Sequence, residues 1–164
     1  LNIVNLFMIK LIFISIITFF NILPFNNITN TSVQMFRNKI DYKSLNAKEK
    51  ENYNYHKVAS VLADYGYDSM RLNNDWQGAD FIAVKGDEML KIQLKGRFTL
   101  DKKYIGKDIF IAFIENDTIK LYEHDKALEL FPESSKNTVS WKDKGQYSWL
   151  KTPEKYNTVI TILK

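Results

Sequence analysis

The sequence predicts an α/β fold in which a mixed central β-sheet is flanked by helices. Three observations predict it: a helical pattern before residue 66, two strand-turn-strand patterns between residues 79 and 122, and helix signals after residue 124. Helical and strand periodicities that alternate along one chain are typical of a layered α/β core.

The first helix is predicted over residues 47–65. Asn46 and Glu49 have the spacing of a capping box, and Gly66 suits the position just after a helix end. Apolar residues then recur at helical spacing on one face: Tyr55, Val58, Ala59 and Leu62. This face is expected to pack on the sheet.

Strand-like segments follow the helix. They are predicted at residues 67–72, 79–84, 88–94, 109–114 and 118–122. Gly86-Asp87 suits a two-residue hairpin turn with glycine first, and residues 115–117 connect a second hairpin.

The C-terminal third carries weaker signals. Asp125 is expected to cap a short helix through Leu130 that ends before Pro132, and residues 133–151 are expected to be irregular. Thr152-Pro153 has the pattern of a helix start. The β-branched tail at 158–163 leaves a strand as the alternative.

The chain is expected to divide into residues 1–34, an apolar segment with a polar linker, and residues 35–164, a single domain. The apolar run at residues 1–25 has two interpretations. It is a signal or membrane anchor, in which case the protein is exported or meets the membrane, or it reflects translation from too far upstream. In the second case Met35 is the start and the domain is expected to be cytoplasmic.

Composition limits the chemistry. The formal net charge is +4 and the pI about 9.1, which permits a nucleic-acid partner without requiring one. The absence of cysteine excludes disulfides and cysteine-ligated zinc, and two histidines are too few for a histidine-rich site. Any metal is therefore expected to have mainly oxygen ligands.

The first hairpin brings three polar side chains together. If Gly86-Asp87 form the turn, Asp80 lies opposite Gln93, and Lys95 points to the same face as both. The other face is apolar and suits a core: Phe81, Ala83, Leu90, Ile92 and Leu94. A register slip of one residue would destroy this convergence.

These residues suit phosphodiester hydrolysis. Asp80, the Gln93 side-chain carbonyl and the Leu94 backbone carbonyl are oxygen ligands for Mg²⁺. Lys95 can orient the attacking water and stabilise developing negative charge, and Gly78 leaves room for a phosphate.

Gly78-Ala79-Asp80 followed by Gln93-Leu94-Lys95 resembles the signature of the PD-(D/E)XK nuclease superfamily. The Gln variant is similar to that of Mrr-type restriction endonucleases and some intron homing endonucleases. Residues 75–81, 93–97 and 101–108 also resemble a group of small uncharacterised bacterial proteins. The resemblance implies a restriction-endonuclease-like sheet flanked by helices, Mg²⁺ or Mn²⁺, and DNA as the substrate.

The sequence departs from that pattern at two positions. Ala79 replaces the usual proline, and Gln93 replaces an acid, so that one anionic metal ligand is lost. Glu51 is predicted to supply the second carboxylate because it shares a helix face with Tyr55. The alternative is a catalytically inactive DNA- or partner-binding module on the same scaffold.

Several residues near the hairpin are candidate DNA contacts. They are Trp76, Gly78, Arg97, Lys102, Lys103 and Lys107. Trp141, Tyr147 and Trp149 alternate with lysines, a pattern that suits either nucleic-acid contact or a packed surface loop. The sequence does not decide whether the protein forms a homodimer, although cutting both DNA strands usually needs two sites.

Overall fold

The computed structural model describes residues 38–164, apart from the side chain of Asp75. Residues 45–164 form one compact unit, and the described residues before it include a 3₁₀ helix at Tyr42–Ser44. The predicted boundary between residues 34 and 35 and the apolar run 1–25 lie outside the described residues. Within residues 38–164 no helix is both long and apolar enough to cross a bilayer.

A six-stranded mixed sheet forms the centre of the compact unit. Its strands, in spatial order, are β1 (Asp68–Trp76), β2 (Ala79–Lys85), β3 (Glu88–Leu94), β5 (Ile109–Glu115), β6 (Thr118–Glu123) and β8 (Ile160–Leu163). The pair β3–β5 is parallel, and the other neighbouring pairs are antiparallel. The prediction of a mixed central sheet flanked by helices is confirmed.

Helix α1 (Ala47–Asp64) covers one face of this sheet, as predicted. The Asn46 side chain accepts a bond from the Glu49 N–H and the Glu49 side chain accepts one from the Asn46 N–H, so the capping box is present. Val58 and Leu62 are buried in a cluster with residues of the sheet: Phe81, Ala83, Ile92, Leu94, Ala112, Ile119, Leu121 and Leu163. The helix therefore packs through the face that its apolar spacing predicts.

The opposite face of the sheet is covered by C-terminal elements together with the segment between β3 and β5. These are helices α2 (His124–Glu129), α3 (Glu133–Lys136) and α4 (Val139–Lys144), 3₁₀ helices at Lys102–Tyr104 and Glu154–Thr158, and a two-stranded sheet of β4 (Thr99–Asp101) and β7 (Gln146–Ser148). Their core is largely aromatic: the Phe98 ring centroid lies 4.6 Å from that of Tyr122 and 4.4 Å from that of Tyr156. The two faces thus have separate hydrophobic cores.

Both hairpin turns contain two residues. Lys85 pairs with Glu88, and Gly86 between them has φ +58°, as the prediction of a glycine-first turn requires. In the second hairpin Asn116 and Asp117 both have positive φ, which is typical of residues whose short polar side chains tolerate the left-handed region.

The C-terminal third differs from the sequence-based expectations. Asp125 does not cap α2, because the helix begins at His124, two residues earlier than a cap at Asp125 implies, and Glu123 is its N-cap. The Asp125 carboxylate instead contacts the His124 ring at 2.9 Å and accepts a bond from the Gly106 N–H at 2.8 Å. The side chain of Asp125, which was predicted to cap a helix locally, therefore makes a tertiary contact instead.

Residues 133–151 are not irregular, since they contain α3, α4 and β7. These elements are short, and Trp141 is buried in the aromatic core, which favours the packed interpretation of that segment. The start of a helix at Thr152-Pro153 is realised only as a 3₁₀ helix, and the alternative of a final strand is correct.

Candidate functional site

The β2–β3 hairpin has the register on which the predicted convergence depends. Phe81 pairs with Ile92, and both side chains are fully buried on the α1 side of the sheet. Since side chains alternate along a strand, Asp80 and Gln93 point to the other face. The structure brings these two predicted residues together.

Three polar groups meet at the end of this hairpin. The Gln93 amide nitrogen donates to the Asp80 carboxylate at 2.5 Å and to the Leu94 carbonyl at 3.1 Å. The Leu94 N–H donates to the same Asp80 oxygen, Oδ2, at 2.8 Å. One amide nitrogen therefore lies between two oxygens of the predicted ligand set, and Asp80 Oδ1 is the carboxylate oxygen outside these bonds.

The Asp80 carboxyl group is partly buried, and this raises its pKa. Burial is the largest effect, and it outweighs the bonds from Leu94 and Gln93, which lower the pKa. The charge of Glu51 raises the pKa further, whereas that of Lys95 lowers it. Glu51, Gln93 and Lys95 thus all influence the Asp80 carboxyl group. Because its environment disfavours the negative charge, a nearby positive charge would stabilise the carboxylate.

A β-bulge explains how Asp80 becomes accessible next to α1. Strand β1 pairs Arg71 with Phe81 and then Trp76 with Ala79, so the intervening residues 72–75 fall out of register. An open pocket lies there, lined by Lys48, Glu51, Arg71, Leu72, Asn73, Asn74, Ala79 and Asp80. The helix carboxylate and the hairpin carboxylate therefore share one pocket although they belong to different elements.

Glu51 is held in that pocket by two cations. It forms ion pairs with Lys48 at 2.9 Å and with Arg71. The hydrogen bond from Lys48 is the largest effect on the pKa of Glu51, and together with Arg71 it lowers that pKa against the opposing effect of burial. The predicted second carboxylate is present, but it is neutralised by partners that the sequence did not suggest.

Lys95 lies on the aromatic side of the site. Its ammonium group is 5.2 Å from the centroid of the Tyr104 ring, within the range of a cation–π contact. Its backbone N–H donates to the Ala112 carbonyl at 2.9 Å, which fixes the chain just after β3. Tyr104 is fully buried, so that it offers Lys95 a rigid surface.

Gly78 lies in the turn between β1 and β2, and Trp76 is the last residue of β1. Gly78 has φ +98°, and a Cβ atom placed there would come within 2.9 Å of the Tyr104 ring. Close packing against Tyr104 thus accounts for this glycine, beside the expectation that it leaves room for a phosphate. Trp76 is 45% exposed, at the end of β1 nearest the pocket.

The basic residues predicted to contact DNA fall into two groups. Lys102 and Lys103 place their ammonium groups over aromatic rings, 5.4 Å from the Trp141 centroid and 4.8 Å from the Tyr104 centroid. Arg97 and Lys107 have no such ring contact among the described residues, and all four residues are exposed. A fifth cation of this region, Lys91, contacts Gln77 at 3.3 Å and Asp108 at 3.8 Å.

A hydrogen-bond network centred on the buried His124 holds the loop that carries Lys102, Lys103 and Lys107. The Asp101 N–H donates to Nε2 of the fully buried His124 at 3.1 Å, so the proton of the neutral ring is on Nδ1. Nδ1 in turn lies 2.9 Å from Asp125, which binds the Gly106 N–H. Sequence reasoning assigned His124 only to the entry of a helix, and no local pattern indicates this network.

Arg71 and Lys48 are the charged residues of the pocket that sequence reasoning missed. No motif marks them, and Arg71 belongs to a strand that was predicted only as a short, mixed segment. The pairing of Arg71 with Phe81, on the side that faces α1, is the signal that would have found it, and it requires the register of β1.

The oxygen donors of the site suit a hard divalent cation once the Gln93 amide is turned. Residues 38–164 contain no group of three or more histidine, cysteine, aspartate or glutamate side chains close enough to hold a metal ion. Asp80 and the Leu94 carbonyl do converge on one point, the Gln93 amide nitrogen. A cation near that point, with the Gln93 amide turned so that its oxygen faces the cation and with Glu51 nearby, would have an all-oxygen set of ligands.

Comparison with known proteins finds a distant structural likeness. No family model matches the chain, and no curated protein matches it. A solved structure of a bacterial homing endonuclease aligns with a TM-score of 0.43 at 12% sequence identity, covering 66% of this chain and 78% of that chain.

Proposed function

We propose that this protein is a metal-dependent DNA endonuclease of the PD-(D/E)XK type that hydrolyses phosphodiester bonds. The observation that carries the proposal is the convergence of Asp80 Oδ2 and the Leu94 carbonyl on the Gln93 amide nitrogen, at 2.5 and 3.1 Å. In the proposed site Mg²⁺ or Mn²⁺ is held by Asp80, the Leu94 carbonyl, the Gln93 amide oxygen and Glu51.

The residues of the chain have distinct roles in this proposal. The cation, when bound, supplies a Lewis acid and an activated water. Asp80 and Glu51 would contribute the negative charge, and Gln93 would turn its amide so that the oxygen rather than the nitrogen points to the cation. Lys95 orients the water and stabilises the charge on the leaving oxygen.

The DNA backbone is proposed to follow the surface around the loop at 101–108. Arg97, Lys102, Lys103 and Lys107 supply positive charge there, and Trp76 with Gly78 lies at the turn next to the pocket. Contacts of this kind predict affinity that falls steeply with salt concentration. Cutting both strands usually needs two such sites, which a homodimer would supply.

The test is a cleavage assay on the full chain. Supercoiled, linear and branched DNA is incubated with Mg²⁺ or Mn²⁺ and with wild type, Asp80→Ala, Lys95→Ala or Asp87→Ala. Asp87 is the matched control, because it is an exposed aspartate in the turn of the same hairpin. Cleavage is expected with wild type and Asp87→Ala, and to be lost by at least about 100-fold with the other two variants. Equal background in wild type and Asp80→Ala would remove the enzyme proposal.

A second candidate function is favoured by the partners of the two carboxylates. Asp80 already accepts the Gln93 amide, and Glu51 already pairs with Lys48 and Arg71. A protein in which these bonds persist would be a DNA- or partner-binding module without catalysis. Salt-dependent DNA binding with no cleavage under any metal would identify that function.

A further inference from the structure

Arg71 is the best-anchored cation of the pocket. Its guanidinium donates to Glu51 through Nη2 and to the Asn52 side-chain oxygen through Nη1, the latter at 2.5 Å. It also lies over the Tyr55 ring, 5.2 Å from the centroid. Its side chain is nevertheless 32% exposed, so that part of the guanidinium group meets solvent.

The position of Arg71 matters because its anionic partner is the carboxylate that the cation site needs. Arg71, Glu51 and Asp80 line the same pocket. A carboxylate that is already bonded to a guanidinium and to the Lys48 ammonium binds a further cation weakly, because its charge and lone pairs are engaged. Another group must therefore displace Glu51 from Arg71 before Glu51 can bind a cation together with Asp80.

A DNA phosphate has the chemistry to do this. A guanidinium group binds phosphate through two parallel N–H bonds, the same geometry that it uses for a carboxylate. In this structure Glu51 is bonded through Nη2 and Asn52 through Nη1, so a phosphate that binds the same edge of the guanidinium competes with Glu51 for Nη2. Asn52 and Tyr55 keep the guanidinium at the pocket mouth while its anionic partner changes.

We propose that Arg71 is a DNA-phosphate-binding residue that exchanges Glu51 for the phosphate when DNA binds, and so frees Glu51 to complete the cation site with Asp80. This inference rests on the proposed function. It makes DNA and the divalent cation bind cooperatively, and the same factor must act in both directions.

The experiment measures Mn²⁺ binding rather than cleavage. Free Mn²⁺ is followed by electron paramagnetic resonance in titrations of the full chain, with and without a short DNA duplex, after subtraction of Mn²⁺ bound by the duplex alone. Wild type is expected to bind Mn²⁺ about 10-fold more tightly when the duplex is present. Arg71→Gln is expected to bind Mn²⁺ more tightly than wild type without DNA and to lose most of the enhancement by DNA.

Three further variants keep the outcomes distinct. Asp80→Asn is expected to abolish Mn²⁺ binding in both conditions, and Mn²⁺ binding that survives in it would overturn the proposed metal site itself. Glu51→Gln is expected to leave weak, Asp80-dependent binding that DNA does not enhance. Arg71→Lys keeps the charge without the two-bond geometry and is expected to restore only part of the enhancement.

One clear result would overturn the exchange while leaving the metal site intact. If Mn²⁺ binding depends on Asp80 but Arg71→Gln and Glu51→Gln both bind Mn²⁺ and respond to DNA as wild type does, Arg71 has no part in the exchange. Thermal unfolding of each variant is measured alongside. If Arg71→Gln does not fold, a wild-type enhancement by DNA in folded Glu51→Gln still overturns the inference.

Discussion

Replacing Gly78 by alanine is expected to destabilise the protein through contact with Tyr104. The new Cβ would lie 2.9 Å from Cδ1 and 3.0 Å from Cε1 of a fully buried ring, and φ at this position is +98°. The backbone conformation costs a non-glycine residue roughly 1–3 kcal/mol, and overpacking costs a further 1–3 kcal/mol or so. The sum of roughly 2–6 kcal/mol is a large part of a typical free energy of unfolding.

The magnitude converts to a measurable change in Tm. At about 4 °C per kcal/mol for a unit of this size, Gly78→Ala is expected to lower Tm by roughly 8–24 °C in differential scanning calorimetry. Two other glycines separate the causes. Gly86 has φ +58° and no atom within 4 Å of the place where a Cβ would lie, so Gly86→Ala tests backbone strain alone; Gly96 has neither strain nor neighbours.

The order of the three variants decides the outcome. We expect the loss of Tm to increase from Gly96→Ala to Gly86→Ala to Gly78→Ala. A Gly78→Ala variant no less stable than Gly86→Ala would refute the argument from Tyr104. If Gly78→Ala lost DNA affinity at unchanged Tm, the need for glycine at position 78 would come from the approach of a phosphate instead.

Four other substitutions test single contacts of the fold and the site. Glu115→Gln should lower the free energy of unfolding by about 2 kcal/mol at neutral pH, because the effect of burial on the pKa of Glu115 is outweighed by bonds that lower it. This loss should shrink below pH 4.5, because the stability that these bonds add disappears as pH falls through the folded pKa. Burial raises the pKa of Asp80 in the folded protein above its ordinary value of 3.8, so the folded state binds this proton more readily than the unfolded state does. The free energy of unfolding should therefore fall as pH rises from 3.8 through the folded pKa. Asp80→Asn should remove this fall in urea titrations at several pH values. Leu62→Ala should cost roughly 2–5 kcal/mol in the same titrations, since Leu62 is only 1% exposed. Gln93→Glu should lower Tm without metal and raise it above wild type in saturating Mn²⁺, and equal shifts in both proteins would contradict the ligand role of residue 93.

The parts of the fold that could be predicted are those that local chemistry determines. The capping box of α1 and the glycine-first turn at Gly86 act within a few residues, and both appear in the structure as expected. This turn fixes the register of β2 and β3, and the register determines which side chains share a face. That chain of dependence is why Asp80 and Gln93 could be brought together from sequence.

The rest depends on contacts between distant residues. Asp125 has the appearance of a helix cap, but its partner is the N–H of Gly106, 19 residues away. The ion pair between Glu51 and Arg71 joins α1 to β1 and depends on the register that places Arg71 opposite Phe81, on the side facing α1. No local pattern encodes such contacts, so the sequence could indicate the carboxylate but not what neutralises it.

Glutamine at position 93 has a physical consequence that an acid at that position would not have. With an acid there, two carboxylates would face each other across the hairpin, and the folded chain would need a cation or a proton to offset their repulsion. The Gln93 amide instead donates to Asp80 and to the Leu94 carbonyl, so the site is stable without metal. The same substitution removes one anionic ligand, and the proposed cation site then depends on Glu51 and on whatever frees it from Arg71. In the proposed site, glutamine at position 93 would thus stabilise the metal-free fold and make cation binding depend on the helix carboxylate.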